Sequence, residues 1–407
     1  MVLLSFAAIP LLSRVKKLNI GIILIITALV MALLTRLSPL QTWDVFLDVF
    51  RKSSSLNTVL VVGVVGVMGT MMKEYGMLDK VVDALSSLVK NVRLLFILIP
   101  ALVGTLTIPG GAILSAPFVH DLGEKVGMEK PKRAAANLIF RHVSVFLLPY
   151  SSSLLVVASM LPQYSVYQFI GVFLCFVIPM IIFGYILYLR KVPKRLEGQG
   201  NGKSTGQNHL QLLTYASPIY ACIIVNMVTG LPLYACMLVS LLLIFLLGEK
   251  KGYLKLLISS IGWNTVMAVV GVFMIQGIVT QLPGLLQIFT NMFQVEALML
   301  PALVLTSLFF GLITGFQIVP MGIVFPMLLS LSLGRGSLMA YTYIVYCCSF
   351  LGYYFSPLHM CQLFTCEFMG VKTNQLYRTY IPFVVSILLW LLLSYFALSL
   401  VLAMIMG

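Results

Sequence analysis

The sequence predicts an all-α polytopic membrane protein. It should have about ten transmembrane helices plus two re-entrant helical hairpins, arranged as an inverted-topology repeat. Three observations carry that expectation. Apolar runs of about 20 residues recur along the whole chain, the length a bilayer-crossing helix needs. The composition is 60% hydrophobic and only 9% charged, where a soluble domain carries roughly 25% charged residues. Two apolar stretches, 93–120 and 297–333, are broken in the middle at matching places in the two halves. No water-soluble domain fits, because the longest clearly polar stretch, 191–212, is too short to fold alone.

Taken in order, single spans are expected at 1–14, 18–36, 56–74, 134–160 and 165–190. After the polar linker they continue at 213–230, 232–248, 256–279, 338–368 and 381–405. The first run is followed by Arg14, Lys16 and Lys17 rather than a small-residue cleavage site, so no separate signal peptide is expected. The broken stretches do not behave like single spans. Each arm is too short to cross alone, so each stretch should enter the bilayer, turn and leave on the same side. Segments 77–93 and 281–294 each follow a span and precede a hairpin. They read as helices lying on the membrane surface, with a plain linker as the alternative.

Charge tests this topology. The formal charge of +14 comes from Lys and Arg in short loops, which points to orientation in a membrane rather than to nucleic acid. With the N-terminus outside and neither hairpin crossing, 21 Lys and Arg fall in inner loops and 4 in outer loops, and Arg141 lies within a span. A single crossing by either broken stretch would weaken that bias. Both termini are then expected outside, with residues 191–212 a cytoplasmic linker.

The chain also repeats itself. Asn57-Thr58-Val59 matches Asn264-Thr265-Val266 at an offset of 207, and GTLT (104–107) matches GLIT (311–314) at the same offset. Pro149 and Pro357 follow at an offset of 208. Residues 1–190 and 213–407 therefore read as two repeats, each with five spans and one hairpin. An odd number of spans inverts the second repeat relative to the first.

Three constellations follow. The hairpin tips, TIPGG (107–111) and TGFQ (314–317), leave backbone groups without helical partners, so each break should face a cavity. Helix N-termini at 111–115 and 317–321 would offer N–H groups to an anion. Freed carbonyls and the hydroxyls of Thr107, Ser115 and Thr314 would suit Na⁺. Gly110, Gly111, Gly315 and Gln317 complete the tips, and a plain Pro or Gly kink is the alternative. The second constellation is the pair of broken spans, PYSSS (149–153) and FSPLH (355–359). Ser151, Ser152, Ser153 and Ser356 either line the site or bond back to carbonyls one turn earlier. His359 is either a substrate donor or proton acceptor, or an interhelical bond. The third is Arg141-His142. All twelve acids fall in loops or near span ends, so Arg141 either balances an anionic solute or snorkels toward Lys132 and Arg133. The missing intramembrane carboxylates favour Na⁺ over H⁺ as a coupling ion, with His142 and His359 keeping the proton open. Seven cysteines form no CxxC, and Cys361 and Cys366 lack His or Cys partners at metal-ligand spacing. They read as small buried apolar side chains.

Two hairpins, two broken spans and an inverted repeat resemble the ion-transporter superfamily. That superfamily includes divalent-anion/Na⁺ symporters, gluconate permeases and C4-dicarboxylate carriers. Asn57-Thr58, Asn264-Thr265, the two tips and the two breaks carry the likeness. Within it, the opening LSRVKKLNIGIILIITALVMALL and the ten expected spans look like domain-of-unknown-function family 401. The resemblance implies an elevator mechanism, often in a homodimer. By position it implies that Thr107, Gly110 and Gly111 face Ser151–Ser153, and that Thr314, Gly315 and Gln317 face Ser356–His359. Na⁺ would sit at Thr107, Ser152, Thr314 and Ser356. The tips here depart from the symporters' Ser-Asn-Thr motif, since neither contains Asn.

The function expected is a secondary active transporter of a small anionic organic solute in the plasma membrane. It would need no cofactor beyond a coupling ion. A carrier or flippase for a lipid-like substrate is the runner-up. A membrane-embedded enzyme lacks its motifs, with no HExxH and no paired intramembrane Asp. A channel suits inverted hairpins less well than alternating access does.

Overall fold

The structure is a computed structural model that describes residues 18–106, 111–195, 206–284 and 296–406, with isolated positions 5, 9, 12, 287 and 291. Among these residues the regular structure is helical and no strand occurs. Eight described helical segments are long and apolar enough to cross a membrane: Ser53–Glu74, Lys130–Met160, Val166–Leu189, Gly206–Thr229, Trp263–Thr280, Ala297–Thr314, Arg335–Met369 and Thr373–Ile405. The chain is an all-α integral membrane protein.

The first half begins with α1 (Ile20–Leu34), α2 (Pro39–Arg51) and α3 (Ser53–Glu74). Asn19 caps α1 by accepting from the Ile22 N–H. Ser38 and Gln41 cap α2 reciprocally, and Pro39 fills its first turn, so both starts are written locally. α4 (Met77–Leu88) follows on Gly76, whose φ of +62° suits glycine. It buries Met77, Leu78, Val81, Ala84 and Leu85 and leaves Asp79, Lys80 and Asp83 outward, the amphipathic pattern expected there. Next come α5 (Val92–Gly104) and α6 (Ala112–Lys125), which pack on each other. A broken helix follows as α7 (Lys130–Arg141), the short α8 (Ser144–Leu147) and α9 (Ser152–Met160). α10 (Val166–Gly184) continues as one π-helical turn, Tyr185–Leu189.

The second half has α11 (Gly206–Thr229), α12 (Leu233–Leu247), α13 (Tyr253–Ser259) and α14 (Trp263–Thr280). α15 (Glu296–Thr314) and α16 (Ile318–Leu329) pack on each other as α5 and α6 do. The second broken helix is α17 (Arg335–Phe355) and α18 (Met360–Met369), followed by α19 (Thr373–Met406).

Several expectations need adjustment. The spans expected at 18–36 and 232–248 contain helices of 15 residues each, about 22 Å of rise against a bilayer core of about 30 Å. The span expected at 256–279 divides at Ser260–Gly262 into α13 and α14. α15 has 19 residues, enough to cross by itself, so the expectation of two short arms fails for this pair. Residues 1–14 lie outside the described residues except for three positions, and 285–294 except for two; helices expected there are not described.

Small residues set the closest approaches. Gly21 and Gly271 let α1 and α14 touch, and the Asn264 side-chain oxygen accepts from the Gly21 N–H at 3.0 Å. One contact recurs in both halves. A Cβ at Gly104 would overlap the Arg141 carbonyl oxygen, and one at Gly311 would come within 2.6 Å of the Ser349 carbonyl oxygen. α5 and α15 are thus each pressed by a glycine onto the broken helix of their own half.

Candidate functional site

The site is built where the two helix breaks meet. Pro149 has no N–H with which to continue a helix, and α8 ends at Leu147 with Leu148 extended. The Tyr346 hydroxyl donates to the Val145 carbonyl at 3.0 Å. At the second break Pro357 plays the same part, and the Tyr377 hydroxyl donates to the freed Phe355 carbonyl at 3.0 Å. A tyrosine hydroxyl thus takes up a carbonyl at each break. Around the first break, Phe146 lies 4.8 Å from Phe350 and Phe173 stacks on Tyr346 at 4.2 Å. This aromatic packing fixes α8 against α17.

The end of α7 and the second break bring five side chains together: Arg141, His142, Tyr353, His359 and Cys361. Arg141 is only 5% exposed. Its Nη2 donates to the Leu106 carbonyl at 3.4 Å, and its Nη1 is buried without a hydrogen-bond partner. The ion pairs among the described residues, Arg51–Asp44, Lys52–Asp48 and Lys132–Glu129, involve exposed side chains and leave Arg141 without a counter-ion. Tyr353 and Cys361 are the groups near its guanidinium. This decides against snorkelling: the side chain turns into the protein. The His142 and His359 rings lie 4.9 Å apart, and Tyr353 packs 4.2 Å from His359. His142 bonds the Leu138 carbonyl through Nδ1 at 2.6 Å and the Tyr353 hydroxyl through Nε2 at 3.2 Å. His359 bonds the Tyr354 carbonyl through Nδ1 at 3.3 Å, and its Nε2 is buried and unpartnered.

A second polar chain runs alongside. The Ser115 hydroxyl donates to the Asn137 side-chain oxygen at 2.7 Å, and the Asn137 amide donates to the Thr365 hydroxyl at 3.2 Å. This ties α6, α7 and α18 together inside the protein.

The other expected site residues fall as follows. Thr107 and Gly110 lie outside the described residues, and Gly111 is buried at the start of α6. α6 packs on α7 and α18; the expected facing of the first tip and Ser151–Ser153 rests on Thr107 and Gly110, outside the described residues. α9, which carries Ser152 and Ser153, packs instead on α3 and α16. Ser151 and Ser153 are buried and Ser152 is half-buried. α9 of the first break thus meets α16 of the second half, and α18 of the second break meets α6 of the first. At the second tip Gly315 has a φ of +67° and lies against Leu358, and Ser356 donates to the Leu312 carbonyl at 2.5 Å. The Thr314 hydroxyl bonds back to the Phe310 carbonyl at 2.6 Å, and Gln317 reaches the Tyr346 carbonyl at 3.4 Å. Of the four expected Na⁺ ligands, Thr314 and Ser356 share this tip, Ser152 sits on the opposite break, and Thr107 is not described. Asn57 keeps its side-chain oxygen buried and unpartnered. Asn264 is used in the α1–α14 contact, away from the breaks.

Two cavities adjoin these elements. One of about 430 Å³ is almost wholly apolar, lined by Leu98, Leu102, Thr105, Leu148, Leu212 and Tyr220 among others. The other, about 200 Å³, is polar and includes Asp48, Lys52, Ser55, Ser159, Gln276 and Thr280. Neither is lined by Arg141.

With this geometry in place, the comparison with known families is direct: the protein family of unknown function DUF401 matches residues 1–400. The chain belongs to the DUF401 family. No curated protein matches it. In this DUF401 chain the reading of Cys361 as a cysteine without ligand partners is corrected. Its sulfur and ring nitrogens of His142 and His359 all lie within 4.8 Å of one another. The nearer partner was visible as His359-Met-Cys361, but His142 is brought in only by the crossing of the breaks. Asn137, Tyr353 and Thr365 were also missed, since a single polar residue in an apolar run carries no spacing signal.

Proposed function

We propose that the protein is a secondary active transporter of a small organic anion. One observation carries this reading: Arg141 is a buried guanidinium with a free N–H group and no carboxylate partner. A charge removed from water needs a partner, and truncating one side of such a pair costs several kcal/mol, roughly 3–5. A carboxylate solute is the natural partner, because the guanidinium fork matches its two oxygens. The cluster sits between two broken helices and is closed off from both cavities. A solute would reach it only as those elements separate, which suits alternating access of the elevator type. Membership of the ion-transporter superfamily, two inverted repeats with re-entrant hairpins, plasma-membrane location, outward termini and a homodimer belong to the same reading. Na⁺ is the favoured coupling ion for want of intramembrane carboxylates. The His142–His359 pair keeps H⁺ as the alternative.

The test is uptake into proteoliposomes of a panel of labelled mono-, di- and tricarboxylates under imposed Na⁺ or pH gradients. At least one anion should accumulate with wild-type protein and not with Arg141→Gln. No gradient-driven uptake of any anion would sink the reading. The apolar 430 Å³ groove beside the first break favours one second reading, a carrier for an amphipathic substrate with an aliphatic body. Uptake confined to lipid-like compounds would select it.

A further inference from the structure

We infer that His142, His359 and Cys361 form a binding site for a soft divalent transition metal of the zinc class. Geometry carries the inference. The three ligand atoms come from two different broken helices and lie within 4.8 Å of one another, with both histidines buried and Cys361 half-buried. Bonds of about 2.0–2.3 Å in a tetrahedral N₂S site need ligand atoms about 3.5 Å apart. Closure by about an ångström, within the reach of side-chain rotation, would complete the set.

The hydrogen bonds prepare both rings. A carbonyl oxygen only accepts, so His142 must carry its proton on Nδ1 to bond Leu138, and His359 must do the same to bond Tyr354. Both Nε2 atoms are then left as lone-pair donors. That is the arrangement by which metal-binding histidines are oriented, with the second ring nitrogen anchored on a backbone carbonyl. Nε2 of His359 has no partner at all, and Nε2 of His142 holds only the Tyr353 hydroxyl, which a metal would displace.

Cys361 would lose its proton to solvent on binding, and the resulting thiolate would lie beside the Arg141 guanidinium. Three protein ligands leave the fourth tetrahedral position open. An anion there would offset the charge that the metal and Arg141 place together. The site therefore goes beyond the transport reading and does not depend on it.

The experiment is a Co²⁺ titration of the purified full-length protein in detergent and sodium chloride, with no organic solute present. Wild type should take up one Co²⁺ per chain, with intense tetrahedral d–d bands and a thiolate-to-cobalt charge-transfer band. Cys361→Ser should abolish the charge-transfer band, whereas Cys236→Ser, a buried cysteine elsewhere, should keep it. His142→Gln and His359→Gln should each weaken binding by roughly tenfold or more, and they carry the test if Cys361→Ser does not fold. No uptake, an octahedral spectrum without a thiolate band, or a band that survives Cys361→Ser overturns the inference. None of those results touches the anion-uptake test.

Discussion

Arg141 sits at the end of α7 with one nitrogen held by the Leu106 carbonyl and another left open. A residue kept for stability would have its charge matched; this one does not. Arg141→Gln removes an uncompensated buried charge and keeps a donor for Leu106. Its melting temperature should equal or exceed that of wild type, while anion binding is lost. A fall of several degrees would mean that Arg141 is a structural tie. Asn137 behaves oppositely. Asn137→Ala removes the buried links to the Ser115 and Thr365 hydroxyls, and should cost about 1–3 kcal/mol in a denaturation experiment. Arg141 was legible in the sequence as a lone cation in an apolar run, but whether it snorkels or turns inward was not. Asn137 and the His142 partner of Tyr353 and Cys361 were not legible, because those contacts join elements far apart in the chain.

At the level of elements, glycines decide how closely the hairpin arms seat. Gly104 and Gly311 each press an arm onto a carbonyl of a broken helix, and Gly315 combines a positive φ with contact against Leu358. Gly230 has a similar φ of +69° with nothing near its missing Cβ. Both Gly315→Ala and Gly230→Ala pay the backbone strain, so their difference isolates packing at the tip. Gly315→Ala should lower the melting temperature clearly more, by an added cost of about 1–3 kcal/mol; equal shifts would mean that the tip yields. The two breaks and the second tip were readable from Pro149, Pro357 and TGFQ, because helix-breaking residues fall at matching places in the two halves. Which break meets which hairpin was not, because pairing across halves depends on how the elements cross. The length of α15 was also missed: the helix runs from Glu296 to Thr314 with Pro301 inside it.

Across the whole molecule, the amount of apolar sequence announced a membrane protein, and eight described helices of spanning length bear that out. Sidedness belongs to the proposal and can be measured. In a background without the native cysteines, Lys250→Cys and Lys372→Cys should react with an impermeant maleimide only from the cytoplasmic face. Arg51→Cys and Arg335→Cys should react only from the opposite face. Labelling of Arg335→Cys and Lys372→Cys from the same side would remove the inverted repeat. The crossing of the breaks also predicts that the site is reached through motion. A cysteine cross-link holding α6 to α18 should stop uptake without unfolding the chain, and uptake that persists would contradict a moving hairpin.

The most direct test is ligand-induced thermal stabilisation of the purified protein by a panel of small carboxylates, with and without Na⁺. A ligand at one hundred times its dissociation constant stabilises by about 2.7 kcal/mol. At least one organic anion should raise the melting temperature of wild type and leave Arg141→Gln unmoved. Equal stabilisation of both proteins, or stabilisation by lipid-like molecules alone, would contradict an anion site at Arg141.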